Sequence, residues 1–197
     1  MSLSAKDKVL STAARLFYAQ GYHQTGINQI IEESKVAKAS FYYHFPSKES
    51  LAIAYLGHTR EVLQAEMDMV LAADSGPGAK ILALFERLYL WREDPGYNGC
   101  VFLKISNEFG AAHLPVQEQV VLSKNAFRAF FVTLIQELEG QTGLGLSGQA
   151  LADVLVVLFD GASTEALAVG GTWPLDAACV AVKGLLGLNE NSRGQNE

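Results

Sequence analysis

The sequence predicts an all-α protein of about nine helices, and three observations lead there. Apolar residues recur three and four positions apart along most of the chain. Gly, Pro, Asn, Asp and Ser cluster at only a few places, which mark the helix boundaries. No segment alternates apolar and polar residues for long enough to make a strand. Of 197 residues, 49% are hydrophobic and 18% charged, which supplies a sizeable core and lies outside the disordered class.

Each element has its own signal. Val9, Ala13, Leu16 and Phe17 give the first helix one apolar face, and Gly21 stands where that helix ends. Thr25 is placed to cap the second, in which Ile27, Ile30 and Ile31 form a stripe. The turn Ser34-Lys35-Val36 leads into a short third helix over Lys38 to His44. Phe45-Pro46-Ser47 stops it and caps a long fourth helix, with Glu49 favourably placed in the first turn.

Asp74-Ser75-Gly76-Pro77-Gly78 is a break, followed by an amphipathic helix over 79–92 with Ile81, Leu84, Phe85, Leu88 and Trp91 on one side. Asp94 to Gly99 is a second turn, and a sixth helix starts near Cys100. Pro115 fits the first turn of the next long helix, which carries Val120, Phe127, Phe131, Leu134 and Leu138. Gly140 to Gly148 reads as a loop, followed by helices over about 149–169 and 174–187 and a polar tail from Asn189. The expected division is a head over 1–50, a body over 51–190 and a tail over 191–197.

The net charge of −6 speaks against a polyanionic partner until its distribution is read. Residues 1–60 hold Lys6, Lys8, Arg15, Lys35, Lys38, Lys48 and Arg60 against Asp7, Glu32, Glu33 and Glu49, a net of +3 that leaves −9 for the rest. That asymmetry suggests a basic head facing a polyanion and an acidic body that does not. Cys100 and Cys179 are too few for a disulfide framework. No apolar run reaches the ~20 residues of a spanning helix, and the start lacks a signal-peptide profile. The expectation is a soluble, cytoplasmic protein with no membrane partner.

Three short helices with a tight turn between the second and third make a helix-turn-helix head, the motif itself spanning about residues 26–45. Val36, Phe41 and Phe45 anchor the third helix, which leaves Lys38, Ser40, Tyr42, Tyr43 and His44 facing outward. The face is small at its start, so it fits a major groove about 12 Å wide, and is then rich in donors to phosphate. An exposed lysine is usually a solubilising charge, and paired tyrosines are usually packing residues. Their combination in one short segment is what points to DNA.

The run Val36-Ala37-Lys38-Ala39-Ser40-Phe41-Tyr42-Tyr43-His44-Phe45-Pro46-Ser47-Lys48-Glu49-Ser50-Leu51 resembles the signature of the TetR family of transcriptional regulators, in its AcrR-like branch. Ala14-Arg15-Leu16-Phe17, Gly21-Tyr22, Thr25 and Ile30 match as well, so the resemblance covers about the first 60 residues. It implies a homodimer on a palindromic double-stranded operator, released by a small-molecule effector, with no cofactor, metal or catalytic residue. It also implies that Thr25 caps the second helix and touches a phosphate. Lys38, Ala39 and Ser40 would read base edges; Tyr42, Tyr43 and His44 would bond mainly to the backbone, and Lys48 would meet a phosphate. The chain departs from the pattern at Lys35, where Gly or Asn is usual, and at Ala37 and Ala39. A non-glycine residue at positive φ costs on the order of 1 kcal/mol, which Lys35 offsets if it reaches a phosphate.

Each recognition helix reads a few base pairs, so two must lie about one DNA turn apart, ~34–36 Å. The last two helices supply a dimer surface: Leu151, Val154, Leu155, Leu158, Phe159, Ala162 and Leu167, then Leu175, Ala178, Val182, Leu185 and Leu186. The resemblance places the effector in the region 80–165. Tyr89, Cys100, Phe102, Phe127, Phe131 and Phe159 are candidates for an apolar lining, with Asn107 and Glu108 as its polar groups. A carboxylate there suits a neutral or cationic ligand. Effector binding would tilt the fourth helix and spoil the spacing of the two reading heads.

Cys100 follows Asn98-Gly99 at a helix start, where the macrodipole favours a thiolate, so a redox or electrophile sensor is an alternative. The plainer reading is a small buried apolar residue. An enzyme is disfavoured, since His23, His44, His58 and His113 are scattered and no phosphate loop or nucleophile elbow appears. A helical protein-interaction module without DNA binding would tolerate charge reversal at Lys38 and Lys48.

Overall fold

The computed structural model describes residues 3–110, 113–138 and 147–188, and among them the secondary structure consists of nine helices and no strand. The expected loop over 140–148 lies outside them as far as residue 146, and the tail from Asn189 lies outside them entirely. Helix α1 (Ala5–Gln20) begins at Ser4, whose Oγ accepts from the Asp7 amide. It ends at Gly21 with φ +92°, a backbone region closed to residues with a Cβ. Helix α2 (Ile27–Ser34) has Gly26 at its N-cap, not Thr25, and no side chain caps it.

The turn between α2 and α3 (Lys38–His44) holds Lys35 at φ 54°, ψ 36°, the only non-glycine residue at positive φ among the described residues. The departure seen in the sequence therefore sits on the strained position. Lys35→Gly is expected to stabilise the protein by roughly 0.5–1 kcal/mol, a rise in Tm of roughly 1–4 °C. A lower Tm for the variant would show that the lysine side chain compensates for its own backbone.

Helix α4 (Lys48–Ala72) opens on a reciprocal cap: Ser47 Oγ accepts from the Ser50 amide at 3.0 Å, and Ser50 Oγ accepts from the Ser47 amide at 3.1 Å. Helix α5 (Pro77–Glu93) starts two residues earlier than expected, because Pro77 takes the first helical position, where its missing N–H costs nothing. Cys100 is the N-cap of α6 (Val101–Phe109), and Pro115 lies in the first turn of α7 (Leu114–Gln136). Helices α8 (Gly148–Val169) and α9 (Trp173–Leu185) complete the order. No helix among the described residues is long and apolar enough to cross a membrane.

The chain forms two compact units, Met1–Ala65 with Cys100–Lys124 and Glu66–Gly99 with Asn125–Glu197. The first is larger than the expected head over 1–50, and burial gives the reason. Three short helices do not enclose a core, and Phe102, Ile105, Val116 and Val120 of α6 and α7 complete the one built on Val9, Phe17, Ile30, Phe41 and Leu56. In the second unit Ile81, Phe85, Phe131, Leu134, Leu151, Leu155 and Val182 are buried, with α8 packed on α9 and α5 on both.

Candidate functional site

Helix α3 is held from one side and offered from the other. Phe41 is 0% exposed, and Phe45 and Val36 are buried beside it. A buried phenylalanine at the middle of a seven-residue helix fixes both its depth and its rotation. Lys38, Ala39, Tyr42 and Tyr43 are then exposed, with Ser40 and His44 half-buried at the margins of the same face. Tyr43 is 84% exposed, its ring edge-on to His44 at 5.0 Å. An apolar ring left in water that far is costly unless something covers it, and its hydroxyl suits a phosphate oxygen.

Thr25 and Lys48, expected on phosphates, do other work in the structure. Thr25 is 0% exposed, and its Oγ1 donates to the Gly21 carbonyl at 2.7 Å. It braces the turn after α1. Lys48 donates to the carbonyls of Tyr22 and Thr25 at 3.0 and 3.1 Å, with its ammonium 4.1 Å above the Tyr22 ring. Burial lowers the Lys48 pKa, and the charge of Glu108 works against that shift.

The same turn is gripped from α6. Glu108 accepts from the amides of Tyr22 and His23 at 2.9 and 2.7 Å, and His23 Nε2 lies 2.8 Å from the Glu108 carbonyl. Lys104 donates to the Tyr18 carbonyl at 2.7 Å. Glu108 therefore ties α6 to the turn of the head. These contacts escaped the sequence reading for a physical reason: Glu108 and Tyr22 are 86 positions apart, and no local pattern encodes that pairing. Gly21, where the sequence places the end of α1, also leaves the room that this close approach needs.

The eight residues expected around an effector fall in different units. Cys100, Phe102, Asn107 and Glu108 belong to the first, and Tyr89, Phe127, Phe131 and Phe159 to the second. Phe102 is 2% exposed within the head core, and Asn107 faces solvent. Phe127, Phe131 and Phe159 do come together, ring centroids 5.0 and 5.1 Å apart, as interlocked core aromatics in edge-on contact. Tyr89 donates to Asp176 at 2.6 Å, and burial together with that carboxylate raises its pKa far above the usual phenol value. A small cleft with room for about one water molecule lies in the first unit among Phe17, Tyr18, Tyr22, Tyr55, Val101, Lys104, Ile105 and Glu108. That is far short of the space an ordinary small-molecule ligand needs. Cys100 is half-buried, with Lys124 Nζ 3.6 Å from its sulfur.

Helices α8 and α9 carry an exposed apolar face, but not the one expected. Leu151, Leu155, Phe159 and Ala162, with Leu175, Ala178, Val182 and Leu186, are buried in their own unit. The outward residues include Val157, Gly161, Thr164, Glu165 and Ala168 on α8 and Trp173, Asp176, Ala177, Val180, Lys183 and Gly184 on α9. Val157 and Val180 are each 71% exposed and Trp173 is 59% exposed. Small residues between bulky ones give a surface that another helix pair can approach closely.

Known proteins resemble the chain in two ways. Residues 9–55 match the family described as bacterial regulatory proteins, tetR family. The HTH-type transcriptional regulator LmrA of Bacillus subtilis is 42% identical over 85 residues, 43% of this chain and 45% of that protein. The chain thus matches less than half the length of that relative. The HTH-type transcriptional repressor NemR of Escherichia coli is 27% identical over 188 residues, 92% of this chain and 93% of that one. Among solved structures, the TetR-family regulator SCO4454 of Streptomyces coelicolor superimposes with a TM-score of 0.82 at 27% identity, covering 93% of this chain and 94% of that one. All three are named as transcriptional regulators and none as an enzyme.

Proposed function

The chain belongs to the TetR family of bacterial regulatory proteins, and from that premise we propose that it is a DNA-binding transcriptional repressor which holds a palindromic operator as a homodimer. One observation carries the reading: α3 presents Lys38, Ala39, Tyr42 and Tyr43 to solvent while fully burying Phe41 beneath them. In this reading Lys38, Ala39 and Ser40 meet base edges, and Tyr42, Tyr43 and His44 bond to phosphates. Thr25 and Lys48 act on DNA only indirectly, by shaping the turn that carries α2. The dimer forms through the outward faces of α8 and α9.

Release is by a small apolar or aromatic effector in the second unit, and it requires a state other than this one. Phe127, Phe131 and Phe159 fill their own space here, so an effector must part them and bind that parted state more tightly. The alternative of a sensor acting through Cys100 is supported by its half-buried place at the start of α6, with the Lys124 ammonium 3.6 Å from its sulfur. Full operator binding after complete alkylation of Cys100 would remove it.

The test of the main reading is a duplex enriched from a random-sequence pool by the purified protein. Tyr42→Ala and Tyr43→Ala are each expected to weaken binding to it by roughly tenfold or more, about the 1–3 kcal/mol of a lost contact at such interfaces. Unchanged affinity in both would exclude α3 as the reading helix.

A further inference from the structure

Glu108 reaches from α6 to the turn between α1 and α2, and its seat is built for a carboxylate. The amides of Tyr22 and His23 are consecutive and converge on its two oxygens at 2.9 and 2.7 Å. Both amides lie in the turn between α1 and α2, where a backbone donor needs an acceptor from outside the helices. Gly21 opens the way in: a Cβ at that position would lie 3.0 and 3.2 Å from the two carboxylate oxygens. The charge is matched as well. Lys48 and Lys104, whose ammoniums hold carbonyls on either side of the same turn, both feel the charge of Glu108. Donors, space and countercharge thus meet at one residue.

The turn so held sets the direction in which the chain leaves α1 and enters α2, and α2 with α3 makes the DNA-reading surface. Base readout tolerates displacements of only about 0.5 Å. We propose that Glu108 is a positioning residue for operator recognition: its carboxylate latches the turn after α1 and so aims α3, without touching DNA itself. This rests on the reading of the chain as an operator-binding protein. A latch predicts a loss of discrimination, because binding to arbitrary DNA depends on charge and not on aim.

The experiment compares wild type, Glu108→Gln and Glu108→Ala on the enriched duplex and on a random-sequence duplex, with amide exchange at Tyr22 and His23 read in parallel. Glu108→Gln keeps size and one acceptor, so it is expected to fold, to lose about tenfold in affinity for the enriched duplex, and to exchange both amides about tenfold faster. Glu108→Ala loses more. Affinity for the random duplex does not fall in either. Equal binding of the enriched duplex by all three proteins overturns the proposal, as does a parallel fall on both duplexes, which marks a merely structural residue. If wild type enriches no duplex, the operator reading itself fails, and unchanged amide exchange then overturns the latch on its own.

Discussion

Phe41→Ala is expected to destabilise the protein by about 3–5 kcal/mol, the usual cost of emptying a fully buried phenylalanine site. Phe41 is 0% exposed, 6.3 Å from the ring of Phe45 and in edge-on contact with Tyr42 at 5.2 Å. It lies in a core assembled from short helices, where little surrounding structure can collapse into the space. That cost is a large part of the roughly 5–15 kcal/mol that stabilises an ordinary domain, so the head should lose its fold at moderate urea. Tyr43→Ala two positions on is the control: 84% exposed, it should shift stability by no more than about 0.5 kcal/mol while still weakening DNA binding. Urea titrations followed by circular dichroism separate the two. A loss below about 1 kcal/mol for Phe41→Ala would mean that α3 is not anchored as described.

Val180→Glu is expected to turn the dimer into a monomer and to lower operator affinity at least about a hundredfold. Val180 is 71% exposed at the centre of the outward face of α9, between Ala177 and Gly184. A two-fold interface presents the same residue twice, so one substitution places two carboxylates in a surface that otherwise excludes water. Each buried unpaired charge costs several kcal/mol, and their mutual repulsion adds to it. The head is untouched, so the variant should keep its helicity and its weak affinity for random DNA. Light scattering at micromolar concentration reads the mass. A dimeric Val180→Glu would move the interface off α8 and α9.

Most of the fold was legible in the sequence because helix boundaries are local chemistry. Ser47 caps α4 and Pro115 opens α7 as their neighbours predict, and Lys35 takes the left-handed position that the family pattern implies. Helix α3 was legible for the same reason, since Phe41 and Tyr43 differ in burial by their rotation about a single short axis. What stayed hidden depends on distant partners. Thr25 looked like a cap, yet Gly26 takes that place and the threonine turns inward to the Gly21 carbonyl. Lys48, expected on a phosphate, donates to two backbone carbonyls in this structure. Apolar residues on α8 and α9 announce a buried face and an exposed one without saying which is which; Leu155 went inward and Val157 outward. The aromatic residues of the body show the same ambiguity, because core packing and pocket lining use one vocabulary.

The measurement that bears most directly on the account is binding of the purified protein to the DNA immediately upstream of its own gene, across a series of salt concentrations, with Tyr42→Ala alongside. Operator recognition through α3 predicts tight binding that falls steeply as salt rises, because phosphate contacts release counterions, and that is lost in the variant. Binding that ignores salt, or that survives Tyr42→Ala unchanged, would contradict the assignment of α3 as a DNA-reading helix.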